Sequence, residues 1–365
     1  MIFVKVEDLK VGMRLARPIY SKKGVLLYER NSKLTIQGID SVRNFGLLGI
    51  YVLEPAEPLP PMSEEDLEFE RFQTMCIFLL KEEVEKILGG EKQNKLLNLI
   101  NMLIKRYGYL DGKSSFYQNL RSKDDYVYRH SLNVAILCAM MAKKLGMRMD
   151  EQVQVVGAAL LHDIGRISVM DDRSFTMNMD METQRFLLSA QNNAADLIES
   201  SFSDGGPVRR ICMQALKVQV DDMQGNLKDG MKLVLGAKIL LVANRYDEIT
   251  AMDLEGNTES EVKALYEFME KSKMYDFQVV DALTDSIKIL FPGVSIVLST
   301  GEKALVIKEN PENVLRPVVL TFEDNSVIDL SLRVNYDIRI VDIMKTLDNR
   351  YIIDEETLRQ AGYLQ

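Results

Sequence analysis

The chain has 365 residues, of which 47% are hydrophobic, and carries a formal net charge of -9 with a pI near 5.1. That length predicts two or three modules and enough apolar side chains to bury a sizeable core. The acidic balance speaks against a nucleic-acid surface, no stretch approaches the roughly twenty apolar residues of a membrane span, and the start, MIFVKVEDLKVG, lacks a secretory signal. The expectation is a cytoplasmic protein with no nucleic-acid or membrane partner.

Residues 1–57 read as a small α+β module. Val4, Val6 and Leu9 lead into VGMRLARPIY, a Lys22-Lys23-Gly24 turn follows, and VLLY completes a set of short strands. A helix is predicted over 35–45, with Ile36, Ile39 and Val42 on one face and Gly46 at its end, before the strand GIYVL. The module has no His, no Cys and no Gly-rich phosphate loop, so it reads as a docking or regulatory unit.

Residues 58–115 read as a linker and a helical pair. The prolines of EPAEPLPPM exclude regular structure, and Ser63 with Asp66 then caps a helix. Its apolar stripe is Leu67, Phe72, Met75, Cys76, Leu79, Val84 and Ile87, closed by Gly89-Gly90. A second helix carries Leu96, Leu97, Ile100, Leu103 and Ile104 and stops at Gly108. Packing helices and a dimer-forming pair that relays a signal both fit, the second implying a homodimer.

The stretch 129–166 holds both histidines of the chain, His130 and His162. A helix over 131–145 is apolar almost all round, which predicts burial. Gly146 ends it, Asp150 caps the next helix, and Val153, Val156, Ala159 and Leu160 carry that helix to His162. Neighbouring residues on a helix point about 100° apart, so His162 and Asp163 share an ion only near a helix end, where Gly165 loosens the chain. Two imidazoles and a carboxylate suit Zn, Mn or Fe, and Mg less well. The metal-free reading is a buried His-Asp-His hydrogen-bonded group that fixes helix register. Cys76, Cys138 and Cys212 are odd in number, far apart and set in apolar helical patterns, so free buried thiols are predicted.

A His followed about thirty residues later by HDIG resembles the HD superfamily of metal-dependent phosphohydrolases. The HS-x-x-VA opening and the basic residue after HDIG are similar to the HD-GYP branch, whose members hydrolyse cyclic di-GMP. AKILLVANRYDEIT resembles that family's later helix, and FPGVSIVLSTGEKALVIKENPENVLRPVVL its small C-terminal β module. The resemblance implies a mainly α fold: an HD-type helical bundle over 116–290, the small N-terminal α+β module, a small β module over 291–340 and a helical tail over 341–365. It implies His130, His162, Asp163 and Asn244 as metal positions, Asp163 and Arg166 as catalytic positions, and a divalent Mn, Fe or Zn as cofactor.

The departures from that pattern limit the chemistry. Asn244 stands where the family has a ligating Asp, and Arg166 where it has Lys. A further His falls near Gln191, a His-His pair near Ala215 and Leu216, and DDMQGNLKDG keeps only Gly225 of the GYP loop. With two histidines a binuclear or trinuclear site of the family type cannot be built, and one ion on His130, His162, Asp163 and Asn244 is what remains. Asp171, Asp172, Asp180, Glu182, Asp221 and Asp222 are the acidic groups that could compensate, and Arg166, Lys217, Lys238 and Arg245 the cations around a pocket. The expected function is a catalytically impaired signalling or interaction module with a cyclic dinucleotide or a protein as partner. The alternative is an active HD phosphohydrolase with a mononuclear site.

Beyond the bundle, Thr258 with Glu261 caps a helix carrying Val262, Leu265, Phe268 and Met269. A helix over 277–290 ends at Pro292-Gly293. SIVLS, ALVIKE, RPVVLTF and VIDLS alternate as strands, and a last helix begins at Asp354.

Overall fold

A computed structural model of the chain describes residues 2–45, 49–53, 64–114, 116, 126–169, 181–251 and 259–344. The Pro-rich linker, Gly46, Ser63, Thr258, Asp171, Asp172, Asp180 and the helix from Asp354 all lie outside those residues. The chain divides into two compact units, residues 1–71 with 289–365, and residues 72–288. The architecture is mainly α with small sheets.

In the first unit, β1 (Ile2–Lys5), β5 (Gly49–Leu53) and β2 (Arg14–Leu15) form an antiparallel sheet in the order β1-β5-β2. β3 (Ile19–Tyr20) and β4 (Leu26–Tyr28) make a hairpin whose turn places Gly24 at φ 73°. Helix α1 (Ile36–Asn44) starts where Thr35 Oγ1 accepts from the Gly38 N–H, a side-chain cap on an otherwise orphaned donor. Val42 of α1 packs with Val6, Leu15, Leu34, Ile50 and Val52 into one small core. In the C-terminal part, β6 (Ser295–Leu298), β7 (Lys303–Lys308), β8 (Val318–Thr321), β9 (Val327–Asp329) and β10 (Ile340–Ile343) form an antiparallel sheet in the order β10-β6-β7-β8-β9. Alternation along β6, β7 and β8 buries Ile296, Leu298, Ala304, Val306 and Val319 on one face. The sequence reading lacked β10, which pairs with β6 and carries the sheet past residue 340.

The second unit is a helical bundle. Helix α2 (Glu64–Leu88) begins among the residues of the first unit and ends at Gly89-Gly90, Gly90 taking φ 72°. Its Glu83, fully buried, accepts the backbone N–H groups of Asn94, Lys95 and Leu96 at 2.8, 2.7 and 3.2 Å. Those are orphan donors at the start of α3 (Leu96–Tyr107), and Lys86 Nζ at 2.7 Å balances the charge. Helix α4 (Tyr126–Lys144) starts five residues before the predicted 131, and every side chain from His130 to Ala142 is buried. It packs against α3, α5 (Met149–Leu161), α10 (Leu235–Thr250) and α12 (Phe277–Thr284), which makes it the axis of the bundle. The N-cap of α5 is Arg148 and not Asp150, which lies in the first turn. Glu151 reaches back to the Arg148 N–H at 2.9 Å and supplies the capping contact expected of Asp150.

The remaining helices are α6 (Ile164–Ser168), α7 (Met181–Asn193), α8 (Ala195–Ser200), α9 (Gly206–Met223) and α11 (Glu261–Glu270), the last N-capped by Ser260. α12 stops at Thr284, short of the predicted 290. The Ser114 N–H donates to Ser286 O and Ser114 O accepts from the Lys288 N–H, at 2.8 and 3.0 Å, so that backbone is spent on a bridge rather than on a further helical turn. Among the described residues no helix is long and apolar enough to cross a membrane.

Candidate functional site

The two histidines meet. His130 sits on α4, His162 closes α5 and Asp163 opens α6, so the break between α5 and α6 is what lets adjacent residues face one point. Ligand atoms of His130, His162 and Asp163 lie within 4.8 Å of one another. Gly165 acts differently from the expectation that it loosens the chain. A Cβ there would stand 2.4 Å from the Ala190 carbonyl, so glycine is needed for α6 to approach the backbone of α7.

The donors of the cluster point outward. His162 Nδ1 lies 2.8 Å from Ala159 O and therefore carries the proton it donates. His130 Nδ1 is 2.6 Å from Asp247 Oδ2, and a carboxylate only accepts, so this nitrogen also carries its proton. With the ring proton on Nδ1, a neutral imidazole at either position presents a lone pair at Nε2. The two Nε2 atoms stand 3.3 Å apart, with Asn244 Oδ1 at 2.9 Å from one and 2.8 Å from the other. The orientation of the Asn244 amide is set from behind, where Nδ2 donates to Glu248 Oε1 at 2.9 Å. Three acceptors converge with no proton between neutral rings, and the Asp163 carboxylate is 3.7 Å from each Nε2. That arrangement asks for a cation.

Asp163 is itself well supplied with donors. Arg166 Nη1 donates to Oδ2 at 2.9 Å and Gln191 Nε2 donates to Oδ1. Burial would raise its pKa, but Arg166 and the two imidazoles outweigh that and hold it at about 2. Burial works the other way on His162, lowering its pKa despite the neighbouring Asp163. Arg166 is held positive by Asp163 against its own burial.

Every residue the sequence singled out for the metal is therefore in one place: His130, His162, Asp163 and Asn244, with Arg166 on the Asp163 side. Beyond them a small cavity, with room for about one water-sized sphere, is lined by His162, Gln191, Cys212, Ala215, Leu216 and Asn244 among others. Gln191, Ala215 and Leu216, where the resemblance puts further ligands, thus do border the cluster. They bring an amide and two apolar side chains. The other expected cations are engaged elsewhere: Arg245 forks onto Glu267 at 2.8 and 2.9 Å, and Lys238 pairs with Asp276 at 2.7 Å. Lys217 lines a separate groove with Arg185 and Met213. Asp222 pairs with Lys271 at 2.9 Å, and among the described residues neither it, Asp221 nor Glu182 joins the metal-capable group.

Asp247 is the residue that sequence reasoning missed. It is fully buried and orients His130 as carboxylates behind metal-bound imidazoles do. The signal was its spacing, one helical turn after Asn244 in ANRYD.

Residues 127–249 match the family model described as HD domain. The chain is 26% identical over 219 residues to Cyclic di-GMP phosphodiesterase PA4108 of Pseudomonas aeruginosa, a match covering 56% of this chain and 49% of that protein. This chain thus spans about half the length of the curated relative it matches. Among solved structures, Bd1817, a HDG"Y"P protein from Bdellovibrio bacteriovorus, shares 14% identity at a TM-score of 0.42, covering 78% of this chain and 98% of that one. Within the helical unit, residues 127–249 are thus similar to an HD domain of the HD phosphohydrolase superfamily, and the chain is similar to a cyclic di-GMP phosphodiesterase.

Proposed function

We propose that this protein is a catalytically impaired HD-GYP-like module of the cytoplasm, acting in signalling through a protein partner or a cyclic dinucleotide rather than by hydrolysis. The observation behind this is the wall of the cluster: an amide and two apolar side chains, Gln191, Ala215 and Leu216, border it at the positions of further ligands. Asn244 adds a neutral oxygen where a carboxylate would add a full charge, a difference of about several kcal/mol of attraction to a divalent cation.

The cluster itself fits one ion, and this favours a second reading. His130 Nε2, His162 Nε2, Asn244 Oδ1 and an Asp163 oxygen would hold it, with Mn, Fe or Zn the chemically suited metals. A bound divalent ion acidifies a water and polarises a phosphoryl oxygen. The chain's own part is to fix both rings through Ala159 and Asp247 and to hold Asp163 ionised through Arg166. On this reading the protein is a mononuclear phosphohydrolase of reduced power.

Purified protein loaded with Mn, Fe or Zn and incubated with cyclic di-GMP separates the two. The expected result is no release of linear dinucleotide above background. Metal-dependent release that disappears in His162→Ala would replace the first reading with the second.

A further inference from the structure

A chain of buried hydrogen bonds runs from α2 to the histidine cluster. Gln73 of α2 donates from Nε2 to Asn133 Oδ1 at 3.1 Å, Asn133 donates from Nδ2 to Asp247 Oδ1 at 3.0 Å, and His130 donates from Nδ1 to Asp247 Oδ2 at 2.6 Å. Gln73, Asn133, Asp247 and His130 are 1%, 2%, 0% and 1% exposed. Three helices, α2, α4 and α10, each contribute to the relay.

The directions of these bonds are forced. Asp247 can only accept, so Asn133 must turn its amide nitrogen to it. The Asn133 oxygen then faces α2, where only a donor satisfies it. Gln73 supplies one from a helix face otherwise buried through Phe69, Cys76, Ile77 and Leu80, where an apolar residue would cost no desolvation. A buried amide on an apolar stripe, bonded to a residue whose orientation serves a third, has a use beyond filling space.

We propose that Gln73 is a positioning residue for His130. It locks the Asn133 amide, Asn133 locks the carboxylate plane of Asp247, and Asp247 fixes the tautomer and direction of the imidazole that faces the cation site. Helix α2 is thereby coupled to the cluster. A rotation of α2 by one residue step, about 100°, would carry the Gln73 amide away and withdraw its donor from the Asn133 oxygen. The inference goes beyond the functional reading, because ring orientation has the same cause whether or not hydrolysis survives.

Histidine labelled with nitrogen-15 gives an uncrowded spectrum, since the chain has two histidines. On the metal-free protein, the His130 Nδ1–H is expected as a slowly exchanging signal. Gln73→Met keeps length and shape without the donor. It is expected to speed exchange of that proton by about ten-fold or more, and to lower affinity for Mn(II) or Zn(II) by about ten-fold, the usual loss when an outer partner of a ligand is removed. Gln73→Glu sets an acceptor against the Asn133 oxygen and should move the His130 signals further. Asn133→Ala cuts the same link on the other side of Gln73 and must shift them in the same sense, which serves if either Gln73 variant fails to fold. Folded Gln73 variants that lower Tm while the His130 ring signals stay as in the parent protein would overturn the proposal.

Discussion

The histidine pair has two unlike flanks. Towards α4 and α10 it meets Asn244 and Asp247, the latter backed by Asn133, all buried and all hydrogen-bonded. Towards α9 it meets Cys212, Ala215 and Leu216 across a cavity with room for about one water. The first flank spends buried polar groups on aiming a ring, and the second offers no imidazole or carboxylate, only the Cys212 thiol and the Gln219 amide among apolar side chains. The contrast teaches that buried polar groups concentrate where a ring is aimed and thin out on the far side of the cavity.

The largest effect should come from breaking the polar flank. Asp247→Ala strands the His130 Nδ1–H and the Asn133 amide in the core, and a loss of about 3.5 kcal/mol in denaturant unfolding is expected. A loss under about 1 kcal/mol would show that the relay is slack. Next, Asn244→Asp adds the missing charge, and calorimetry with Mn(II) should read an affinity gain of about a hundred-fold. Adding Ala215→His and Leu216→His to that variant should raise metal content from one ion towards two, and a content still at or below one would mean that the apolar flank has lost more than its ligands.

Acid sharpens the comparison at a smaller scale. Arg166 and the two imidazoles hold the Asp163 carboxyl at about 2 in the fold, below its unfolded value, so its contribution is present above pH 4 and is lost as pH falls through 2, on the order of 2 kcal/mol in all. His162 has a lowered pKa, so the unfolded chain takes up its proton first and stability already declines below about pH 6.5. Asp163→Asn should flatten the lower part of the metal-free pH–stability curve, and an unchanged slope between pH 4 and 2 would reject this account. Smallest, Leu216→Ala should cost about 2 kcal/mol, at the low end for a buried leucine because it borders a void already. It should leave both imidazole signals in place, and a shifted ring would contradict the view of α9 as plain packing.

Much of this was legible from residues alone. Apolar spacing gave α2, α3 and the strands of both small sheets except β10, because period and turn chemistry agree there. His130, His162 and Asp163 were readable because two imidazoles in a whole chain leave little choice. Asp247 was not, since its one local mark, a spacing of one turn from Asn244, gains meaning only across α4 and α10. Gln73 was hidden for the same reason, a lone amide on an apolar stripe. The early end of α12 follows from a backbone bridge between Ile287 and Ser114, a contact 173 residues away in the numbering that no periodicity encodes. Gly165 was noticed for the wrong cause: flexibility suggests itself in a sequence, whereas the close approach of Ala190 needs the third dimension.

The three buried thiols have a practical consequence. Cys76 belongs to α2, Cys138 to α4 and Cys212 to α9, and burial pushes the thiols of Cys76 and Cys212 up to about 12 and that of Cys138 higher still. An alkylating reagent reaches each sulfur only while its own helix is open. Mass spectrometry over time would read three internal clocks, and their relative pace would tell which helix breathes first.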